Sequence, residues 1–129
     1  MRKIFTGSVL AALVVLVGVC SPIAAQAQSR PDAKSVYIVT HIDVTPNFSD
    51  AAKQAIQKYA AESRKEKGAI SIEGLVQDGR TNHFTIVEIW QTRAAFEAHS
   101  GQAHVRQFRE TLQPMLGAPF DERLHEPIP

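Results

Sequence analysis

The chain has 129 residues, 14 basic and 13 acidic side chains and a single cysteine. That balance lacks the basic footprint of a nucleic-acid binder. One cysteine excludes an internal disulfide framework and a thiolate metal site, and the length suits one domain with one modest core.

The N-terminal segment reads as an address rather than as structure. Arg2 and Lys3 form a positive start, and Val9 to Val19 is apolar apart from Gly18. That run is too short for a comfortable permanent span, and Ala25-Gln26-Ala27 supplies the small-x-small pattern of a cleavage site. Residues 1–27 are therefore expected to be a cleavable signal peptide, with the mature chain starting near Gln28 and exported to the periplasm or beyond. Cys20 lies inside the removed segment and follows the bulky Val19, which disfavours a lipid-modified N-terminus. Loss of Arg2 and Lys3 leaves twelve basic against thirteen acidic residues, a net charge near −1. No second apolar segment follows, so no membrane association is expected after cleavage.

Residues 28–35 are polar, contain Pro31 and read as a mobile leader to a domain over 36–129. Val36 to Val44 alternates as a strand, with Val36, Ile38, Thr40, Ile42 and Val44 on one face. Thr45-Pro46-Asn47 breaks it. Asn47 or Ser49 is placed to cap a helix whose apolar stripe is Ala52, Ala55, Ile56, Tyr59 and Ala60, with Gly68 as its closing residue. Ala69 to Gln77 reads as a second strand with Ile70, Ile72, Gly74 and Val76 on one side. A turn over Asp78–Asn82 leads into a third strand from His83 to Gln91. Phe84, Ile86, Glu88 and Trp90 share one face of that strand.

Thr92 caps a second helix, Ser100-Gly101 interrupts it, and it resumes through His104, Phe108 and Leu112 until Gly117 and Pro119 stop it. Phe120 to Glu126 is a final extended segment. The order βαββαβ predicts an α+β, ferredoxin-like domain with two helices on one sheet face. Tyr37, Val39, Val87 and Ile89 leave the other face apolar, which points to sheet-to-sheet association in a homodimer.

Phosphate loops, nucleophile elbows and His-x-x-x-His pairs are absent from the sequence. His99 and His104 are five residues apart, on different sides of a regular helix, so no metal site is expected from that pair. What remains is an inward carboxylate, Glu88, beside Trp90. If the second helix packs on that face, Glu88, Trp90, His104 and Phe108 line one apolar cavity suited to a small ligand.

Glu88-Ile89-Trp90, Ala95-Phe96, Ala98-His99, His104, Phe108 and Leu112-Gln113-Pro114 together resemble the antibiotic biosynthesis monooxygenase family. The ending Gly117 to Arg123 is similar to its quinol monooxygenase branch. The resemblance implies a dimeric α+β barrel that oxidises small electron-rich aromatics (quinols, phenols or anthrones) with dioxygen, using no metal, flavin or other cofactor. It further implies His104 or Glu88 as the catalytic proton acceptor, with Trp90 and Phe108 holding the substrate ring. Phe84, Phe96 and His99 complete the candidate substrate contacts. Two other functions are compatible with the same residues. One is a non-catalytic dimeric binder of a quinone-like or other hydrophobic ligand. The other is haem binding or degradation, disfavoured because strand one offers His41 where such relatives carry an asparagine.

Overall fold

The computed structural model describes residues 31–128; residues 1–27, the expected signal peptide, lie outside them. Four strands, β1 (Val36–Asp43), β2 (Ala69–Gln77), β3 (Arg80–Trp90) and β4 (Asp121–His125), form one sheet in the order β2-β3-β1-β4. All neighbours are antiparallel. The helices are α1 (Ser49–Ser63), α2 (Arg93–Ser100) and α3 (Ala103–Leu112). This is the expected ferredoxin-like arrangement, in which each β-α-β crossover lays its helices on the same face.

Period-two alternation fixes which side chains enter the core. On β1 the buried set is Val36, Ile38, Thr40 and Ile42; on β3 it is Phe84, Ile86, Glu88 and Trp90. The ladder sets Ile38 opposite Glu88 and Ile42 opposite Phe84. From α1, residues Ala52, Ile56, Tyr59, Ala60 and Ser63 supply the facing stripe at helical spacing. Each fully buried isoleucine contributes roughly 1.5–3 kcal/mol of transfer free energy.

Local boundaries depart from expectation in four places. Neither Asn47 nor Ser49 caps α1 through its side chain; a 3-10 turn at Pro46–Phe48 leads in, and the Ser49 hydroxyl donates back to the Pro46 carbonyl at 2.8 Å. The helix ends at Ser63, before Gly68, which instead sits at φ +92 where the chain enters β2. The β2–β3 turn is the two residues Asp78-Gly79, because Arg80 already pairs with Gln77. Pro114 lies in a 3-10 turn at Gln113–Met115, which ends α3 ahead of Gly117.

The edge strand β2 is covered only at its start. Ile72 is buried, whereas Leu75 and Val76 are about half exposed at 48% and 51%. Ser35, assigned to the leader, is buried and closes a turn whose backbone N–H donates to the Asp32 carbonyl at 3.0 Å. On the sheet face away from the helices, Tyr37 pairs with Ile89 and Val39 with Val87, all four partly exposed. No helix among the described residues is long and apolar enough to cross a membrane.

Candidate active site

Alternation drives the Glu88 carboxylate inward, between Ile86 and Trp90, and it is 1% exposed. A buried carboxylate is tolerable only when its oxygens are paired. Tyr59, projecting from the third turn of α1, donates to Oε1 at 2.5 Å, and the Trp90 indole donates to Oε2 at 2.8 Å. The Tyr59 oxygen also lies 2.8 Å from Nε2 of His99, a side chain buried at the end of α2. Nδ1 of His99 is 2.7 Å from Oε1 of Glu66, in the turn after α1. That same oxygen is 3.1 Å from Nε2 of His104. A continuous polar chain thus runs Glu88–Tyr59–His99–Glu66–His104, from the sheet to the half-buried start of α3.

The two histidines meet because the helix is broken. Thr92 caps α2 by accepting from the Ala95 amide at 3.1 Å, and α2 ends at Ser100. Gln102 is extended (φ −71, ψ 151) and starts α3 afresh. The five-residue spacing that would separate His99 and His104 on one regular helix instead leaves their rings 5.6 Å apart. The expectation that the pair lies on different sides is corrected by this break.

Counting hydrogens shows what the chain can do. Tyr59 has one proton but stands between two acceptor-capable neighbours, so a second proton must come from one of them. Either ionised Glu88 accepts from Tyr59 while His99 donates to Tyr59 from Nε2, or protonated Glu88 donates to Tyr59 and Tyr59 donates to Nε2 of His99. These states differ only by two concerted proton shifts through the hydroxyl. Burial, and then the nearby Glu88 charge, pushes the Tyr59 phenol far above its ordinary range. Tyr59 therefore stays a neutral phenol, hydrogen-bonded between Glu88 and His99.

Aromatic rings enclose this chain. Trp90, 0% exposed, packs on His99 with centroids 4.5 Å apart. Phe108 stacks on Tyr59 at 4.2 Å, and Phe96 lies 6.1 Å from the His99 ring. The single cavity expected between Glu88, Trp90, His104 and Phe108 is divided by the Tyr59–Phe108 stack. Behind it, a void of about 10 Å³ touches Thr40, Glu88 and Phe108, near the lower limit of roughly 10–15 Å³ for one water. In front, a groove of about 120 Å³ between α1 and α3 is lined by Lys58, Tyr59, Glu62, His104 and Phe108.

Of the residues singled out from sequence, Glu88, Trp90, His99, His104, Phe108 and Phe96 gather here. Glu88 makes no direct contact with His104, because Tyr59, His99 and Glu66 intervene. Phe84 belongs to the core and to a separate groove of about 190 Å³ beside Ile56 and Val76. Sequence reasoning missed Tyr59 and Glu66. Tyr59 was legible as the only hydroxyl-bearing ring on the α1 stripe, and an inward carboxylate needs such a donor. Glu66 carries no comparable signal.

The sequence model of antibiotic biosynthesis monooxygenases matches residues 35–111. The fold is similar to that of a candidate antibiotic biosynthesis monooxygenase from Nitrosomonas europaea (19% identity, TM-score 0.71), covering 78% of this chain and 96% of that one. A Bacteroides thetaiotaomicron protein is 24% identical with TM-score 0.67 over 74% of this chain and 99% of that one. Rv0793 from Mycobacterium tuberculosis is 20% identical with TM-score 0.68 over 74% and 96%. No curated protein matches the sequence.

Proposed function

Because this chain belongs to the antibiotic biosynthesis monooxygenase family, with a general function of the monooxygenase type, we propose that its substrate is a small, electron-rich aromatic of the quinol, phenol or anthrone kind. The observation that carries this reading is the placement of His104. Its imidazole borders the groove whose other wall is the Tyr59–Phe108 stack, and it ends the polar chain from buried Glu88. The groove is small beside ordinary ligand pockets of roughly 300–1,000 Å³, which suits a single ring.

In this proposal the ring lies against Phe108 and gives its hydroxyl proton to His104. The resulting phenolate is electron-rich enough to reduce dioxygen directly, so the protein binds, deprotonates and excludes water without metal or flavin. One oxygen atom enters the ring or its activated carbon. The other leaves as water with two hydrogens from the substrate, so no external reductant is consumed. The proposal places the reaction outside the cytoplasm, after removal of residues 1–27. It also pairs two chains through the Tyr37, Val39, Val87 and Ile89 face, whose cross-strand pairs form one apolar patch.

A second reading rests on a different observation. Both oxygens of Glu88 and the Trp90 indole are already engaged within the fold, as in a protein that binds a hydrophobic ligand without transforming it. Oxygen uptake by purified, chelator-treated protein over a panel of quinols, phenols and anthrones separates the two. Saturable uptake, reduced about 10²–10⁴-fold in His104→Ala, supports oxidation. Quenching of Trp90 fluorescence by quinones with no uptake supports the binder.

A further inference from the structure

The geometry points to a divalent transition-metal site formed by Glu66, His99 and His104, and we propose that an ion such as Zn²⁺ binds there. The three donor atoms, Glu66 Oε1, His99 Nδ1 and His104 Nε2, all lie within 4.8 Å of one another. Two imidazoles and one carboxylate suit zinc and its first-row neighbours, and are a poor match for the all-oxygen preference of calcium or magnesium. Metal–ligand bonds of about 2.0–2.2 Å require donors roughly 3.3–3.5 Å apart in a tetrahedron. Glu66 Oε1 now sits 2.7 and 3.1 Å from the two nitrogens. The widest separation in the trio, up to 4.8 Å, therefore lies between the two imidazole nitrogens, and a bound ion needs the carboxylate to draw back by under about 1 Å and the His104 ring to swing in by about 1–1.5 Å. Glu66 and His104 are the ligands placed to move, because Glu66 lies in the turn after α1 with 19% of its side chain exposed and His104 is 23% exposed, whereas His99 is buried.

The surrounding hydrogen bonds support the assignment independently. A neutral His99 that coordinates through Nδ1 carries its proton on Nε2, which then donates to the Tyr59 oxygen at 2.8 Å. Tyr59 donates onward to Glu88 Oε1, and Trp90 donates to Oε2. Every donor has an acceptor in that arrangement, and Glu88 anchors the metal-bound histidine through Tyr59. Charge closes as well: one divalent ion balances the carboxylates of Glu66 and Glu88. Without an ion, the short Glu66–His99 contact needs a proton of its own, on the imidazole or on a carboxyl group. His104 is 23% exposed, which leaves an entry path and a fourth position for water. A bound ion would withdraw Glu66 and His104 from the proton path proposed above, and its binding does not depend on that proposal.

The test is Co²⁺ titration of the chelator-treated full chain, read by visible ligand-field absorption. The expected result is a tetrahedral-type band saturating at one ion per chain and displaced by Zn²⁺. Glu66→Gln and His104→Gln, both at partly exposed positions, should abolish it while circular dichroism stays unchanged. Tyr59→Phe should weaken affinity about 10–100-fold. Absence of the band in the unaltered chain, or a band that survives both substitutions, overturns the proposal.

Discussion

The Tyr59 hydroxyl donates to Glu88 Oε1 at 2.5 Å with both side chains buried, and so joins a helix to the middle of the sheet through one proton. Glu88 contributes a carboxylate that the core could not otherwise hold. Tyr59→Phe leaves that oxygen with one buried donor fewer. We expect a loss of about 1–3 kcal/mol, read from urea denaturation. No change in midpoint would show that the bond does not hold Glu88.

The same pair predicts an alkaline limit. The Tyr59 pKa is raised in the folded state, first by burial and next by the Glu88 charge. The folded state therefore binds the phenolic proton more tightly than the unfolded chain. Stability from this group is fully present below the unfolded value of 10.0 and is lost as pH rises beyond it. In the metal-free protein, one of the two tyrosines should ionise only as the fold is lost. Tyrosinate absorbance followed beside circular dichroism checks this, and Tyr59→Phe should remove that component.

Trp90 behaves as core in this structure. Trp90→Ala should cost about 3–5 kcal/mol through the space it opens behind His99, measured by thermal or urea unfolding. A variant as stable as the parent would place the indole outside the core.

Gly101 at the end of α2 and Gly68 at the entry to β2 should respond differently. Gly101 is in a right-handed helical conformation, and an added Cβ would meet the Ala98 carbonyl oxygen at an ordinary 3.6 Å. Gly101→Ala should change stability by no more than about 1 kcal/mol. Gly68 has φ +92, and its Cβ would stand 2.6 Å from Ala95 Cβ. Gly68→Ala should destabilise by about 1–3 kcal/mol. Paired denaturation curves decide it, and equal effects would contradict the backbone geometry at these two glycines.

If the outer sheet face joins two copies, Val39→Lys with Val87→Glu should convert the protein to a monomer in sedimentation experiments. A species of unchanged mass in the variant would remove that face from consideration.

What could be read ahead of the structure followed from periodicity. Alternation alone placed Ile38, Ile42, Glu88 and Trp90 inward, and the Thr92 cap and the Ser100-Gly101 break were visible as local chemistry. The assembled polar chain was not. His99 and His104 approach through a fresh helix start at Gln102, which helical spacing cannot describe. Glu66 enters from a turn whose charged residues look solvated in one dimension. Tyr59 joins Glu88 across 29 residues, a distance that only the packing of α1 on the sheet closes. The turn at Asp78-Gly79 was read too long because Arg80 and Thr81 resemble loop residues, although the ladder reaches them.

The most direct measurement is oxygen uptake with a quinol by His104→Ala, Glu88→Gln and the double variant. A single proton path predicts that each substitution lowers kcat, and that the double variant is about as slow as the slower single one. Uptake retained at the parent rate in the double variant would contradict a path from the groove to the buried carboxylate.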